Sequence, residues 1–208
     1  MRIDPAGWPF VIAGLVAAAL LGVVAGAVYG WVLVALSAFF LFFFRDPERS
    51  HSADDTSVIS PADGRVMVAG EPTGQAVPPG SWHQISIFLS PMDVHINRIP
   101  ASGRVTKVSY TPGRFLPAYR DDAGAHNERS EIWIDHAGQT IVARQIVGIL
   151  ARRVVCRVQS GAEVRAGDRF GIMKFGSRMD VFLPETASLA VAVGDVVRGG
   201  ETVIAVLH

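Results

Sequence analysis

Three things are scarce in this 208-residue chain, and each scarcity excludes something. There is a single cysteine, Cys156, so neither an intrachain disulfide nor a cysteine-cluster metal site can form. There is no net charge: 19 basic residues balance 19 acidic ones, which removes the electrostatic reason to expect nucleic acid as a partner. And from Gly7 through Phe44 there is no charged residue at all. Outside that run the charge content is ordinary for a soluble domain. The chain is therefore read as two objects, an apolar helical membrane segment over residues 1–44 and a globular domain over residues 45–208.

The uncharged run is too long for one straight crossing. A hydrocarbon core of about 30 Å needs about 20 helical residues. The run divides at Tyr29-Gly30-Trp31, with small aliphatic residues before it and aromatic ones after it, ending in Phe39-Phe40-Leu41-Phe42-Phe43-Phe44. Trp8, Tyr29 and Trp31 stand where interfacial aromatics are expected. Either a helical hairpin or a single span followed by an interfacial helix satisfies this pattern. A signal peptide fits poorly, because Arg2 and Asp4 cancel and the run exceeds an h-region. Basic and acidic residues are mixed on both flanks, so the positive-inside rule has little to act on.

Beyond Phe44, a polar linker runs to Asp54-Asp55, and short Val- and Ile-rich stretches then alternate with Gly, Pro, Asn and Asp turns. Val154-Val155-Cys156-Arg157-Val158 shows the period of two expected of a half-buried strand. No stretch of ten residues carries a helical period, so the domain is predicted to be mostly β. A partial echo joins Ser160–Asp168 to Ala192–Glu201, each with Val at the centre of a turn that feeds a strand. Two such units flanking a hairpin resemble the barrel-sandwich arrangement of lipoyl and biotinyl domains, a statement about fold and not function.

Three clusters carry side chains capable of chemistry. Ser60-Pro61-Ala62-Asp63-Gly64-Arg65 sets a carboxylate in a Pro/Gly turn, where Asp commonly caps the turn itself. Phe88–Pro100 gathers Asp93, His95, Asn97 and Arg98 at a strand end, and His95 has the side chain suited to proton transfer near neutral pH. His126-Asn127-Glu128-Arg129 is a further polar cluster, read in isolation as a solvated loop. In Met173-Lys174-Phe175-Gly176-Ser177-Arg178-Met179-Asp180 a Gly-Ser bond joins two β-like runs. Glycine before serine leaves the carbonyl open to attack by the hydroxyl and admits unusual backbone angles.

Each cluster alone has an ordinary structural explanation. In this order, however, Pro-Ala-Asp-Gly, Phe-Leu-Ser-Pro-x-Asp-Val-His-x-Asn-Arg-x-Pro, Asn-Glu-Arg and Phe-Gly-Ser-Arg-Met-Asp resemble the short, membrane-associated phosphatidylserine decarboxylases over roughly residues 45–208. The resemblance implies a proenzyme that cuts itself between Gly176 and Ser177. The products would be a β chain, 1–176, and an α chain, 177–208, held together as a heterodimer and open to higher assembly. It implies that Ser177 becomes a pyruvoyl group, the only cofactor, with no metal. It further implies that this group forms a Schiff base with phosphatidylserine and releases CO2 and phosphatidylethanolamine.

By the same resemblance Asp63, His95 and Ser177 are the catalytic set. Long-form relatives carry two histidines three residues apart; here His95 holds the first position and Arg98 the second, with His126 in reserve as the base. Arg98, His126, Arg129 and Arg178 are candidates for the substrate phosphate or carboxylate. The implied location is the cell membrane, with the catalytic domain on the cytoplasmic side. Two other readings compete. Ile172-Met173-Lys174-Phe175 is similar to the modified hairpin of biotinyl carrier domains, with Lys174 as the modified residue. A membrane-anchored β module without enzymatic activity is the other.

Overall fold

The computed structural model describes residues 2–50, 54–74, 76–149, 154–174 and 176–208. Phe175 of the Gly-Ser motif, and part of the polar linker before Asp54, lie outside the described residues. The chain divides into two compact units, Met1–Glu48 and Arg49–His208.

In the first unit a two-residue strand β1 (Arg2–Ile3) precedes a short 3-10 turn, then helix α1 (Trp8–Ala25) and helix α2 (Ala27–Phe43). The segment ends in β2 (Arg45–Asp46), which pairs antiparallel with β1. Pairing of the two ends requires the chain to double back, and it does so at Gly26, whose φ of 106° breaks the helix. Phe10 near the start of α1 meets Phe40 near the end of α2, ring centroids 5.4 Å apart, so the helices pack as an antiparallel hairpin. Pro5–Ala25 is long and apolar enough to cross a membrane by length and composition; α2 is shorter. Most of the large side chains of α1, Leu20, Val23 and Val24 among them, are exposed, as expected of a helix made for an apolar solvent.

The second unit is mostly β. Its strands are β3 (Ser57–Ile59), β4 (Gly64–Gly70), β5 (Trp82–Leu89), β6 (Ile96–Arg98) and β7 (Gly103–Thr111). After the one-turn helix α3 (Ala123–His126) come β8 (Arg129–His136), β9 (Gln139–Ile146), β10 (Val154–Cys156), β11 (Glu163–Val164) and β12 (Arg169–Met173). The last four are β13 (Ser177–Pro184), β14 (Ser188–Leu189), β15 (Val196–Val197) and β16 (Val203–Val206). An eight-stranded antiparallel sheet has the order β11-β7-β8-β9-β13-β5-β4-β15, and two three-stranded sheets have the orders β10-β12-β6 and β14-β16-β3. Alternate residues of the large sheet, including Ile85, Ile87, Ile132, Ile134, Ile141, Met179, Val181 and Leu183, join one buried core. Each contributes about 1.5–3 kcal/mol by burial.

The unit is built from two interleaved copies of one motif. Pro61-Ala62-Asp63-Gly64-Arg65-Val66 leads into β4, and Pro100-Ala101-Ser102-Gly103-Arg104-Val105 leads into β7. Val66 N–H donates to Asp195 O (2.9 Å) and Val66 O accepts from Gly194 (2.9 Å); Val105 repeats this with Ala162 and Gly161 at 2.8 and 2.6 Å. The echo noted at Ser160–Asp168 and Ala192–Glu201 therefore supplies β11 and β15, one at each edge of the large sheet. The two small sheets correspond in the same way.

Candidate active site

Ser177 opens β13, the strand between β5 and β9 at the middle of the large sheet. Ser177 pairs with Leu89, and the neighbouring Arg178 pairs with Phe88 and Ile146. By pattern alone the sequence shows an apolar stretch only over Asp180–Pro184, because the charged Arg178 interrupts the start of the strand. The structure shows why both charges are tolerated. Arg178 Nε donates to Asp180 Oδ1 at 2.6 Å and Nη2 donates to Oδ2 at 3.1 Å, both side chains almost fully buried. Ser86 Oγ adds a bond to Asp180 Oδ1 (2.7 Å) and takes one from Gln84 Nε2 (2.7 Å). Every charge in this buried group has a partner, which is the condition for keeping it there.

The other face of β13 carries Ser177. It is 0% exposed, and its Oγ has no hydrogen-bond partner among the described residues. A buried hydroxyl without a partner costs about 1–3 kcal/mol and calls for an explanation. Immediately before it, Gly176 has φ 70°, the left-handed region, with open space where a side chain would begin. Its carbonyl oxygen lies so close to Gly148 that a Cβ on Gly148 would collide with it. Gly148 thus has to be glycine for the Gly176 carbonyl to keep its place.

His95 is fully buried on the approach to β6. Its Nδ1 lies 3.0 Å from Asp93 O, and since a carbonyl only accepts, Nδ1 carries the hydrogen. Nε2 then presents its lone pair, and the Gly176 N–H points to it at 3.4 Å, a long contact. One bond beyond the β6–β12 ladder, Met173 N–H to His95 O at 3.2 Å, ties the histidine backbone to the chain just ahead of Gly176. His95, Gly176 and Ser177 are thus brought together.

Asp63 is engaged elsewhere. Its Oδ2 accepts from Arg49 Nη2 at 2.7 Å and its Oδ1 from Gly199 N–H at 2.8 Å. Arg98 is buried, donates to Gly167 O at 3.0 Å and packs beside Gly200. Arg178 is committed to Asp180, as above. Arg129 donates to Ala125 O (2.9 Å) and stands 3.8 Å from Glu131. Burial and then the nearby Arg144 lower the Arg129 pKa, with Glu131 opposing them. His126 is exposed at the end of α3, its Nδ1 on Asp122 O at 3.0 Å. Lys174 is half-buried just past β12.

Two residues beside the site carry more than the sequence discloses. Asn127, read as part of a solvated loop, is fully buried. It donates to Leu116 O and Val147 O, both at 2.8 Å, and accepts from Leu116 N–H at 2.9 Å. It therefore stitches the 113–119 loop to the segment carrying Gly148. Phe88, Pro91, Pro117, Ala118, Tyr119 and Ile149, with Gly176, line an open cavity of about 340 Å3 at the Gly-Ser bond. Gly148 gives no signal in the sequence because its role depends on contact with a residue 28 positions away.

A buried serine after a left-handed glycine, a histidine lone pair facing that glycine's N–H and an apolar cavity beside it describe an enzyme active site of the mostly β class. The phosphatidylserine decarboxylase family profile matches residues 36–205. The chain is 43% identical to the phosphatidylserine decarboxylase proenzyme of Paramagnetospirillum magneticum over 98% of its own length and 86% of that protein's. It is 44% identical to the one of Granulibacter bethesdensis (97% and 84% covered) and 43% identical to that of Chlorobium phaeobacteroides (86% and 83%). The chain belongs to the phosphatidylserine decarboxylase family.

Proposed function

We propose that this chain is a membrane-held, self-processing decarboxylase that converts phosphatidylserine to phosphatidylethanolamine and CO2. The observation that carries the reading is the buried, unpartnered Ser177 Oγ beside a left-handed Gly176 and the His95 lone pair. The proenzyme names of the relatives support it.

In the first step His95 Nε2 takes the Ser177 hydroxyl proton, and Oγ bonds to the Gly176 carbonyl carbon. The C–N bond to Ser177 breaks, its nitrogen takes the proton from His95, and an ester replaces the amide. His95 Nε2, neutral again, takes the Ser177 Cα proton, which expels the Gly176 carboxylate from Cβ and leaves dehydroalanine at residue 177. Its imine tautomer takes up one water, loses ammonia and leaves a pyruvoyl group at the head of 177–208.

The residues present fit that group. Ser177 Cβ is already buried among Leu89 and its strand neighbours, and no metal ligand set is called for. When formed, the group supplies a ketone for Schiff-base chemistry with the substrate amine and a sink for the electrons released with CO2. His95, protonated after processing, returns a proton to the carbon that has lost CO2. Asp63 acts at one remove: with Arg49 and the Gly199 turn it fixes the loop packed on β6, the strand that follows His95. The cavity at Gly176 admits the apolar part of the lipid, and exposed His126 and half-buried Arg129 stand as candidates for its anionic groups. The α1–α2 hairpin keeps the enzyme at the cell membrane, with Arg49–His208 on the cytoplasmic side.

A denaturing gel tests the reading. Wild-type chain is expected as fragments of about 19 and about 3.5 kDa, at roughly 110 Da per residue, the smaller lacking a free amine. Ser177→Ala is expected as one band. An uncut wild-type chain that still decarboxylates the lipid would overturn the mechanism.

A further inference from the structure

Among its described residues, the unit Arg49–His208 leaves seven large apolar side chains exposed. Four of them, Met92 (60% exposed), Phe115 (40%), Tyr119 (60%) and Ile149 (57%), sit on the three loops that line the cavity at Gly176. The loops come from distant parts of the chain and are held in place rather than left free. Asn127 bonds the 113–119 loop to Val147, Asp93 Oδ2 accepts from Ser90 N–H at 2.7 Å, and the Phe88 and Tyr119 rings meet edge-on at 6.2 Å. Exposed apolar side chains gathered on the loops around one cavity, on an ordered scaffold, mark an interaction site.

We propose that Met92, Phe115, Tyr119 and Ile149 form a rim that inserts into the headgroup region of an anionic bilayer, so that the cavity opens directly onto lipid. The inference rests on the decarboxylase reading above and goes beyond it by naming the face that meets the membrane. Three observations select a lipid surface as the occupant. Tyr119 and Ile149 line the apolar cavity that reaches Gly176, Met92 and Phe115 stand on the loops that supply Pro91 and Pro117 to it, and a diacyl substrate has to leave its chains in hydrocarbon while its headgroup enters there. Two of the four residues are aromatic, the type that settles at a membrane interface. Arg114, next to Phe115, is exposed and supplies a cation for anionic headgroups.

The test uses the full chain in nanodiscs of phosphatidylcholine and phosphatidylglycerol. In a Cys156→Ser background, a single cysteine replaces Met92, Phe115 or Glu185 and carries an environment-sensitive fluorophore. Glu185 is exposed just past the far end of β13 from Ser177 and serves as the reference. Lipids brominated on the acyl chains are expected to quench the label at 92 and 115 and to leave 185 unaffected. No quenching at 92 and 115 overturns the inference, including the case where a blue-shifted label is covered by the chain's own helices or by a second copy. In a kinetic arm, Met92→Ser and Phe115→Ser are expected to cut themselves normally. Each should raise the apparent KM for phosphatidylserine in mixed micelles about tenfold, with kcat changed less than about twofold. An unchanged KM in both variants also overturns it. Failure of the decarboxylase reading looks different: an uncut chain on the gel, whatever the quenching.

Discussion

Asp63 and Ser102 occupy the same place in the two copies of the repeated motif and make the same bond. Asp63 Oδ1 accepts from Gly199 N–H at 2.8 Å, and Ser102 Oγ accepts from Ala166 N–H at 3.0 Å. A serine is therefore sufficient for the turn. What Asp63 adds is charge, and that charge is paired with Arg49 at 2.7 Å.

This separates two roles of Asp63. Asp63→Ser should keep the cap and lose only the ion pair, lowering stability by about 1–2 kcal/mol, since Arg49 retains Gly199 O and Glu201. In a calorimeter that is a Tm fall of about 5 °C. Self-cutting should persist at a reduced rate. Complete loss of cutting with an unchanged Tm would put Asp63 in direct contact with the chemistry.

His95 has to be neutral to accept the Ser177 proton. Among the described residues it is the only base in reach of the first step in this reading, so His95→Ala should slow cutting by at least about 100-fold on a time-resolved gel. Cutting of His95→Ala at the wild-type rate would remove His95 from the first step.

Gly148→Ala sets a methyl group against the Gly176 carbonyl oxygen, a backbone atom that cannot swing aside. The fold should survive, as judged by circular dichroism, while cutting slows by at least about tenfold, because a displacement of about 1 Å at a reacting carbonyl is costly. Normal cutting in this variant would mean that the carbonyl moves freely.

Asp180→Ala leaves the Arg178 guanidinium buried without its carboxylate, which should cost about 3–5 kcal/mol. Urea midpoints report the loss. The double variant Arg178→Met with Asp180→Leu should recover most of it. A small effect in the single variant would mean that water reaches the pair.

Much of this was legible in the sequence, and the exceptions have physical causes. Gly176, Ser177 and His95 stand out in the sequence by residue type and order, and the structure places Gly176 N–H against His95 Nε2. Apolar stretches at Gln84–Leu89, Glu131–Asp135 and Thr140–Ile149 announce β5, β8 and β9 in the sequence, with ends that differ by up to three residues from the strands observed. β6, β11 and β15 are not announced, because strands of two or three residues are too short to show a period. The start of β13 is concealed by an ion pair whose two members are apolar only as a pair. The likeness of Pro61–Val66 to Pro100–Val105 is plain in the letters, yet its meaning depends on β11 and β15 closing opposite edges of one sheet. Asn127 reads as loop because its three bonds go to backbone atoms 11 and 20 residues away.

The position of β13 also decides what a break ahead of Ser177 can do. That strand lies between β5 and β9, its successors are laced into β3 and β4, and all four of those neighbours precede Ser177. Scission there would change connectivity without freeing a peptide: the short piece would stay threaded through the larger one, and only dismantling the whole β architecture would let it go.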